Sequence, residues 1–141
     1  DNGYNMKIFC MDYGKARIGC AVSDALGILA VPLETVHEKN FRIQLEKINK
    51  AIAEEKPDLI LFGLPKNMDG SEGEMAELVR EFAEKLTALC GVPHEFTDER
   101  LSTVMAHEIL NTVDMNGSKK RRNVVDTVSA TILLQSYLDK K

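Results

Sequence analysis

The sequence lacks long apolar runs and a secretory leader. Its longest apolar stretches, residues 59–62 and 128–134, are far shorter than the roughly 20 residues that a membrane-spanning helix needs. No basic region followed by an apolar run occurs near the amino terminus, so no signal peptide is predicted. We therefore expect a cytoplasmic protein that does not enter a membrane.

Cysteine and histidine are scarce. Cys10, Cys20 and Cys90 are odd in number, lack the spacing of metal ligands and lie in apolar segments. This pattern is typical of reduced thiols in a cytosolic protein core, and it argues against a disulfide framework or a zinc site. The three histidines show no metal-binding spacing. Neither residue type is assigned a role in chemistry.

The chain has no excess of basic residues. Its 18 Lys and Arg against 22 Asp and Glu give a formal net charge of −4, and it contains no tryptophan. Domains that bind nucleic acid by bulk electrostatics usually carry a strong positive charge, and stacking on bases needs aromatic side chains. Any such binding would depend on local clusters of basic residues, of which the sequence has one: Lys119, Lys120, Arg121 and Arg122.

The length of 141 residues and the ordinary apolar content fit one globular domain with a single core. We expect this domain to span residues 6–141. Residues 1–5 precede Met6 and are expected to be a short leader before the native start. No internal repeat is evident in the sequence.

The first part of the chain has the pattern of antiparallel strands. Apolar-rich runs cover residues 7–13 and 17–22 and are separated by Gly14, as in a hairpin. A third extended segment covers residues 28–36, and Pro32 within it is best tolerated at a sheet edge or a bulge. We predict three short antiparallel strands.

The second part of the chain alternates between helices and strands. Apolar residues at helical spacing predict a helix from Phe41 until Pro57, and the continuous apolar run at 58–63 predicts a strand buried on both faces in a mostly parallel sheet. The predicted order is a strand at 58–63, a helix from Met75 to Gly91, a strand at 92–97, and helices at 101–110 and 124–138, separated by a basic loop at 111–123. The predicted fold is α/β, with a mixed five-stranded sheet and helices on both faces.

Three acidic residues lie at boundaries of these elements. Asp12 is near the end of the first strand, Glu99 follows the fifth strand, and Asp126 is in the first turn of the last helix. Open α/β sheets usually bind ligands at the carboxyl ends of their strands, and carboxylates suit Mg²⁺ or Mn²⁺. Two of these positions also have structural explanations, because Asp126 favours the helix dipole and residues 98–99 could cap the next helix. Asp12 is harder to explain in this way, because an acid among apolar residues would need a partner if buried.

Four sequence blocks carry a family resemblance. They are residues 12–19 (DYGKARIG) with 21–24 (AVSD), 63–71 (GLPKNMDGS), 98–103 (DERLST) and 126–130 (DTVSA). These blocks resemble the motifs of the YqgF/RuvX family, in the same order and across essentially the whole chain from Met6. Two positions differ slightly from the family pattern: Ala16, where a basic residue is common, and Ser129, where an alanine is usual.

The resemblance implies an RNase H-like fold and a nuclease that hydrolyses phosphodiesters with Mg²⁺ or Mn²⁺. It implies that Asp12, Glu99 and Asp126 are catalytic and bind the metal. Asp98 and Glu99 face opposite ways in an extended strand, so only one of them is expected to be a ligand, and either assignment stays open. The metal would activate a water for attack on phosphorus and stabilise the departing 3′ oxygen.

Other residues are candidates for binding nucleic acid. Arg17 and Arg100 could hold phosphate oxygens, and Asn67 could do so together with backbone N–H groups of its loop. The cluster Lys119, Lys120, Arg121 and Arg122 could follow the nucleic-acid backbone. The alternatives are exposed ion pairs for the arginines, a plain turn in which Asp69 or Ser71 caps the next helix, and a solvated loop for the cluster.

The resemblance leaves the substrate and the assembly open. The family is implicated in maturing the 5′ end of the small-subunit ribosomal RNA precursor and is also named as a Holliday-junction resolvase. The expected partner is therefore precursor rRNA or branched DNA, bound by a monomer or a homodimer. Two other hypotheses are a catalytically weak RNA-binding assembly factor and an actin-like ATPase, although the latter needs two such domains.

Overall fold

The computed structural model describes residues 6–99 and 118–140, with side chains in the second range from residue 128 onward. These parts of the chain form six strands and three helices. In chain order they are β1 (Ile8–Tyr13), β2 (Arg17–Ser23), β3 (Ala30–Pro32), β4 (Val36–His37), α1 (Phe41–Glu55), β5 (Leu59–Leu64), α2 (Glu74–Cys90), β6 (His94–Asp98) and α3 (Ser118–Asp139). The helix predicted at residues 101–110 lies outside the described residues.

The strands form one mixed sheet in the order β3-β2-β1-β5-β6, and β4 also pairs with β2. The pairs β1–β2, β2–β3 and β2–β4 are antiparallel, whereas β1–β5 and β5–β6 are parallel. The predicted mixed α/β sheet is confirmed. It has one strand more than expected because the segment predicted at 28–36 is divided after Pro32, which has no N–H to donate to the ladder.

Helices cover both faces of the sheet, as predicted. On one face, β1 contributes Phe9, Met11 and Tyr13 to a core cluster. The helices α1 and α2 cover this cluster and contribute residues such as Ile48 and Phe82. The alternate residues of β1 pack against α3 on the other face; they are Ile8 and Cys10. Because side chains of a strand alternate between faces, Asp12 belongs to the α3 face.

The helix boundaries follow local chemistry. Asn40 caps α1 by accepting a hydrogen bond from the N–H of Ile43 at 3.0 Å. Gly91 ends α2 in the left-handed conformation with φ of 74°, as the sequence predicts. Across residues 6–99 and 118–140, no helix combines the length and apolar character needed to cross a membrane.

The last helix begins earlier than predicted. It begins at Ser118 rather than at residue 124, so Lys119, Lys120, Arg121 and Arg122 lie on α3 and not in a loop. Lysine and arginine are good helix formers, and they extend the helix although they add no apolar periodicity. The prediction of a loop over residues 118–123 was wrong for this reason.

Gln44 is a buried polar residue that holds the turn between β1 and β2. Its side-chain amide donates to the carbonyl oxygens of Gly14 at 3.2 Å, Lys15 at 3.1 Å and Glu38 at 2.7 Å. Its Oε1 accepts a hydrogen bond from the Tyr13 hydroxyl at 2.6 Å. Gln44 is fully buried, so its own amide has no access to bulk water as a replacement for these partners.

We predict that Gln44→Leu lowers the free energy of unfolding by about 3 kcal/mol, because it leaves the Tyr13 hydroxyl and several turn carbonyls unpaired. Tyr13→Phe, which removes a single hydrogen bond, should cost only about 1 kcal/mol. Urea unfolding followed by circular dichroism measures both values. Equal costs for the two variants would contradict a role for Gln44 in holding the turn.

Tyr137 connects α3 to the edge strand β6 through a hydrogen bond. The Tyr137 hydroxyl donates to Glu95 Oε1 at 2.7 Å. Partial burial raises the pKa of Tyr137 to about 12, and the hydrogen bond to Glu95 and the charge of that carboxylate contribute to the increase. The contact therefore favours the protonated phenol in the folded protein.

We predict that this contact weakens at alkaline pH. A pKa that is higher in the folded than in the unfolded state gives stability that is complete below about pH 10 and is lost as the pH rises through 12. The unfolding free energy of Tyr137→Phe should thus fall less steeply between pH 10 and 12 than that of the parent protein. Parallel slopes in denaturant titrations across this range would contradict the prediction.

Candidate active site

The parallel strands bring several candidate residues to one edge of the sheet. β1, β5 and β6 run in the same direction, so their carboxyl ends lie side by side. Met11 is in register with Phe62, which puts the following residues, Asp12 and Gly63, next to each other. Glu99 follows β6 and extends the ladder by donating its N–H to the carbonyl of Leu64 at 3.3 Å.

The side chain of Glu99 lies over Gly63. A Cβ added at Gly63 would be 3.1 Å from Glu99 Cβ, 3.3 Å from Glu99 Oε2 and 2.6 Å from Leu133 Cδ1. Leu133 belongs to α3, so the Glu99 carboxylate is on the α3 face, the face of Asp12. Asp98 is exposed and alternates with Glu99, which assigns it to the opposite face together with Phe96.

Burial and the charges of Asp12 and Glu99 all affect the pKa of the Cys10 thiol. Burial raises the pKa of Cys10, and the charges of Asp12 and Glu99 raise it further. Burial and the charge of Asp12 likewise raise the pKa of Cys20 to about 12. Both thiols therefore stay protonated at neutral pH, which disfavours them as nucleophiles.

The turn after β1 forms a pocket beside Asp12. Residues 12–17 line a cavity of about 290 Å³. A Cβ at Gly14 would lie 2.6 Å from the carbonyl oxygen of Arg17, so this tight turn requires glycine. Arg17 is half-buried and alternates in β2 with Ile18, which packs under α1 and α2. Arg17 therefore shares the α3 face with Asp12, as a phosphate-binding residue would need.

Asn67 lies at the same edge, in the exposed loop between β5 and α2. Its amide donates to Ser71 Oγ at 3.0 Å, and its backbone N–H donates to the carbonyl of Ser71 at 2.8 Å. Asp69 accepts from the N–H and the hydroxyl of Ser71 at 2.9 and 2.6 Å. The loop is thus closed by its own bonds. Neither Asp69 nor Ser71 caps α2, since Gly73 occupies the N-cap without a side-chain bond.

The direction of α3 relates Asp126 to this edge. Leu133 lies at Gly63, whereas Tyr137, one turn later, reaches Glu95 near the amino end of β6. The helix therefore runs from the carboxyl edge towards the amino edge, and position 126 is about 10 Å before Leu133 on the side of that carboxyl edge. The side chains of Asp126, Lys119, Lys120, Arg121 and Arg122, and all of Arg100, lie outside the described residues.

The donor set fits a hard divalent cation. Asp12 and Glu99 supply carboxylate oxygens on one face, and the Glu99 side chain and Leu133 Cδ1 approach Gly63 where a Cβ would otherwise lie. Within the part of the chain whose side chains are described, no group of three or more His, Cys, Asp or Glu could hold a metal ion. Asp126, the third ligand that the family resemblance implies, has its side chain outside the described residues. Gly63 begins the second sequence block, but no signal in the sequence indicates that the Glu99 side chain lies over it.

Known proteins resemble this chain in sequence over nearly its whole length. The family model described as "RuvX: Holliday junction resolvase" matches residues 6–140. A Fusobacterium nucleatum protein named "Putative pre-16S rRNA nuclease" is 42% identical over 136 residues, covering 96% of this chain and 98% of the relative. A Clostridium novyi protein of the same name is 41% identical over 134 residues, covering 95% and 98%.

Solved structures show the same fold at low sequence identity. Thermus thermophilus RuvC in complex with a Holliday junction substrate aligns with a TM-score of 0.62 and 10% identity, over 96% of this chain and 94% of the other. The fowlpox virus resolvase in complex with Holliday junction DNA gives 0.58 and 10%, over 96% and 98%. These alignments confirm the predicted RNase H-like fold. Together with the family model and the relatives, they show that the chain belongs to the RuvX Holliday junction resolvase family.

Proposed function

We propose that this protein is a metal-dependent endonuclease that hydrolyses nucleic-acid phosphodiesters at the carboxyl edge of β1, β5 and β6. Membership of a nuclease family supports the reaction class. One observation carries the assignment of the site: Asp12 and the Glu99 carboxylate share the α3 face and flank Gly63, which has no side chain. Such a pair of carboxylates suits divalent-metal catalysis.

Asp12, Glu99 and Asp126 would hold Mg²⁺ or Mn²⁺. When bound, the metal supplies an activated water and stabilises charge on the departing 3′ oxygen, which would give 5′-phosphate and 3′-hydroxyl ends. The chain itself orients the carboxylates: the β1–β2 ladder fixes Asp12 opposite Gly19, and the Leu64 carbonyl fixes the backbone of Glu99. Arg17, on the same face, would hold a phosphate oxygen of the substrate.

We propose processing of the 5′ end of the small-subunit rRNA precursor as the physiological reaction. The relatives that match this chain over nearly their full length are each named "Putative pre-16S rRNA nuclease". The second candidate is resolution of branched DNA, which the family description favours. Symmetric cutting of a four-way junction would need two sites and hence a dimer, whereas trimming of a precursor would not.

We predict that Asp12→Asn and Glu99→Gln each lower the cleavage rate by at least about 100-fold with Mg²⁺ or Mn²⁺, because loss of even an outer partner of a metal site costs 10- to 100-fold. Asp98→Asn is the matched control: it removes the neighbouring carboxylate on the opposite face and should keep most of the activity. The assay uses a precursor-rRNA 5′ segment, a four-way DNA junction and a single-stranded RNA.

The outcomes separate the candidate functions. Cleavage of one substrate, lost in Asp12→Asn and Glu99→Gln, supports the nuclease and names its substrate. Equal losses of cleavage activity in Asp98→Asn and Glu99→Gln would mean that the alternation of side chains between the two faces does not determine which of the two residues binds the metal. Binding without cleavage by the parent protein under all metal conditions would replace the nuclease by an RNA-binding assembly factor.

We predict that Gly63→Ala lowers activity more than it lowers stability. The new methyl group would press on the Leu133 side chain, which can shift, at a cost of about 1 to 2 kcal/mol. It would also press on Glu99, and a displacement of about 1 Å at a catalytic group can cost about 100-fold in rate. Cleavage rates and urea unfolding of the same preparations measure the two effects.

Gly73→Ala provides the control for this substitution. Gly73 is at the same edge, and a Cβ there would meet only Asn67 atoms at 3.7 and 3.8 Å, which is ordinary contact. Its activity should stay close to that of the parent protein. Full activity of Gly63→Ala, with or without a loss of stability, would show that the position of Glu99 over Gly63 is not needed for cleavage.

A further inference from the structure

An ion pair outside the acidic site has the geometry of a phosphate complex. Arg80 on α2 donates from Nε to Glu72 Oε1 at 2.9 Å and from Nη2 to Glu72 Oε2 at 2.8 Å. A guanidinium fork binds carboxylate and phosphate oxygens in the same bidentate way. Glu72 therefore occupies the position that two oxygens of a phosphodiester would take.

The guanidinium of Arg80 is positioned independently of Glu72. Its central carbon lies 4.8 Å from the centroid of the Phe96 ring, within the range of a cation–π contact. The Phe96 ring is itself packed against Phe62, with centroids 5.8 Å apart. Arg80 therefore keeps one contact that does not depend on Glu72.

A second cation acts on the same carboxylate. The hydrogen bonds from Arg80 lower the pKa of Glu72, and the charges of Arg80 and Lys66 lower it further. Lys66 follows β5 by two residues, in the loop that leads to Glu72. One carboxylate thus neutralises part of a two-cation patch, made of Lys66 and Arg80, in a chain of net charge −4.

The patch is exposed and close to the edge that carries the acids. The side chains of Arg80 and Glu72 are 48% and 33% exposed. Lys66 lies just beyond the carboxyl end of β5, and Arg80 contacts β6 at Phe96, two residues before Asp98. Phe96 packs on the α1 and α2 face, so Arg80 is on the face opposite to Asp12 and Glu99, and a nucleic-acid strand would have to cross the carboxyl edge to contact both.

We propose that Lys66 and Arg80 form a second contact for the phosphodiester backbone, and that Glu72 is a built-in competitor that the backbone must displace. The proposal rests on the proposed nuclease function, since it places the patch along the substrate. The competitor weakens binding of a single phosphate at the patch, so contacts elsewhere along the same strand, such as Arg17, add to the affinity.

The test is binding of a fluorescein-labelled four-way DNA junction and of a single-stranded RNA, measured by fluorescence anisotropy in EDTA, where metal-dependent cleavage cannot occur. Glu72→Gln should tighten binding about 2- to 5-fold, the size of an exposed ion pair. Adding Arg80→Met should remove this gain and lower the slope of log Kd against log salt concentration by about 1. Circular dichroism verifies that each variant is folded.

Glu46→Gln is the matched control. It breaks the exposed Arg42–Glu46 pair on α1, a single 2.8 Å contact, and changes the net charge by the same amount. It should leave affinity unchanged. Equal tightening by Glu46→Gln, a gain that survives Arg80→Met, or no gain in Glu72→Gln, including the absence of binding by every variant, would each overturn the proposal. Failure of the nuclease function appears separately, as absence of Mg²⁺-dependent cleavage by the parent protein.

Discussion

Parallel pairing of β1, β5 and β6 is the constraint on which the site depends. Parallel strands end at the same edge, so Asp12, Gly63 and Glu99 meet there although 51 and 36 residues separate them along the chain. Alternation then decides which side chains share a face. A slip of one residue in β1 would turn Asp12 into the core beneath α1 and α2 and expose Met11 to α3. The burial of Phe9, Met11 and Tyr13 opposes that slip, so the apolar core also sets the position of the carboxylate.

Asp12 and Glu99 are held in position by different kinds of contact. On the β1 side, Gln44 binds the turn carbonyls from below and Gly14 lets the turn close on Arg17. On the β6 side, the Glu99 N–H donates to the Leu64 carbonyl, and the absence of a side chain at Gly63 gives its carboxylate room. The first arrangement is rigid and the second depends on space, which is why a methyl group at Gly63 is a sharper probe of the site than a change in the β1–β2 turn.

Most of the fold could be predicted because its signals are local. Helical spacing from Phe41 and the continuous apolar run of β5 belong to single elements, and each predicted its structure correctly. The division of the third extended segment at Pro32 and the start of α3 at Ser118 depend on ladder bonds and helix propagation, which apolar periodicity does not report. Alternation predicted that Asp98 and Glu99 face opposite ways. Only the packing of α3 on Gly63 shows which face carries Glu99.

Net charge was a poor guide to nucleic-acid binding for a physical reason. A nuclease that uses carboxylates to hold a divalent cation carries negative charge where the substrate must approach, and that charge enters the total of −4 although bound metal would cancel it. Other acids are already engaged with cations, as Glu72 is with Arg80. In the proposed function, a phosphate would therefore meet the local field of the bound metal, Arg17 and the patch at Lys66 and Arg80. If Glu72 yields to phosphate, positive potential appears as the substrate docks, and the free protein stays acidic enough to avoid indiscriminate binding to nucleic acid.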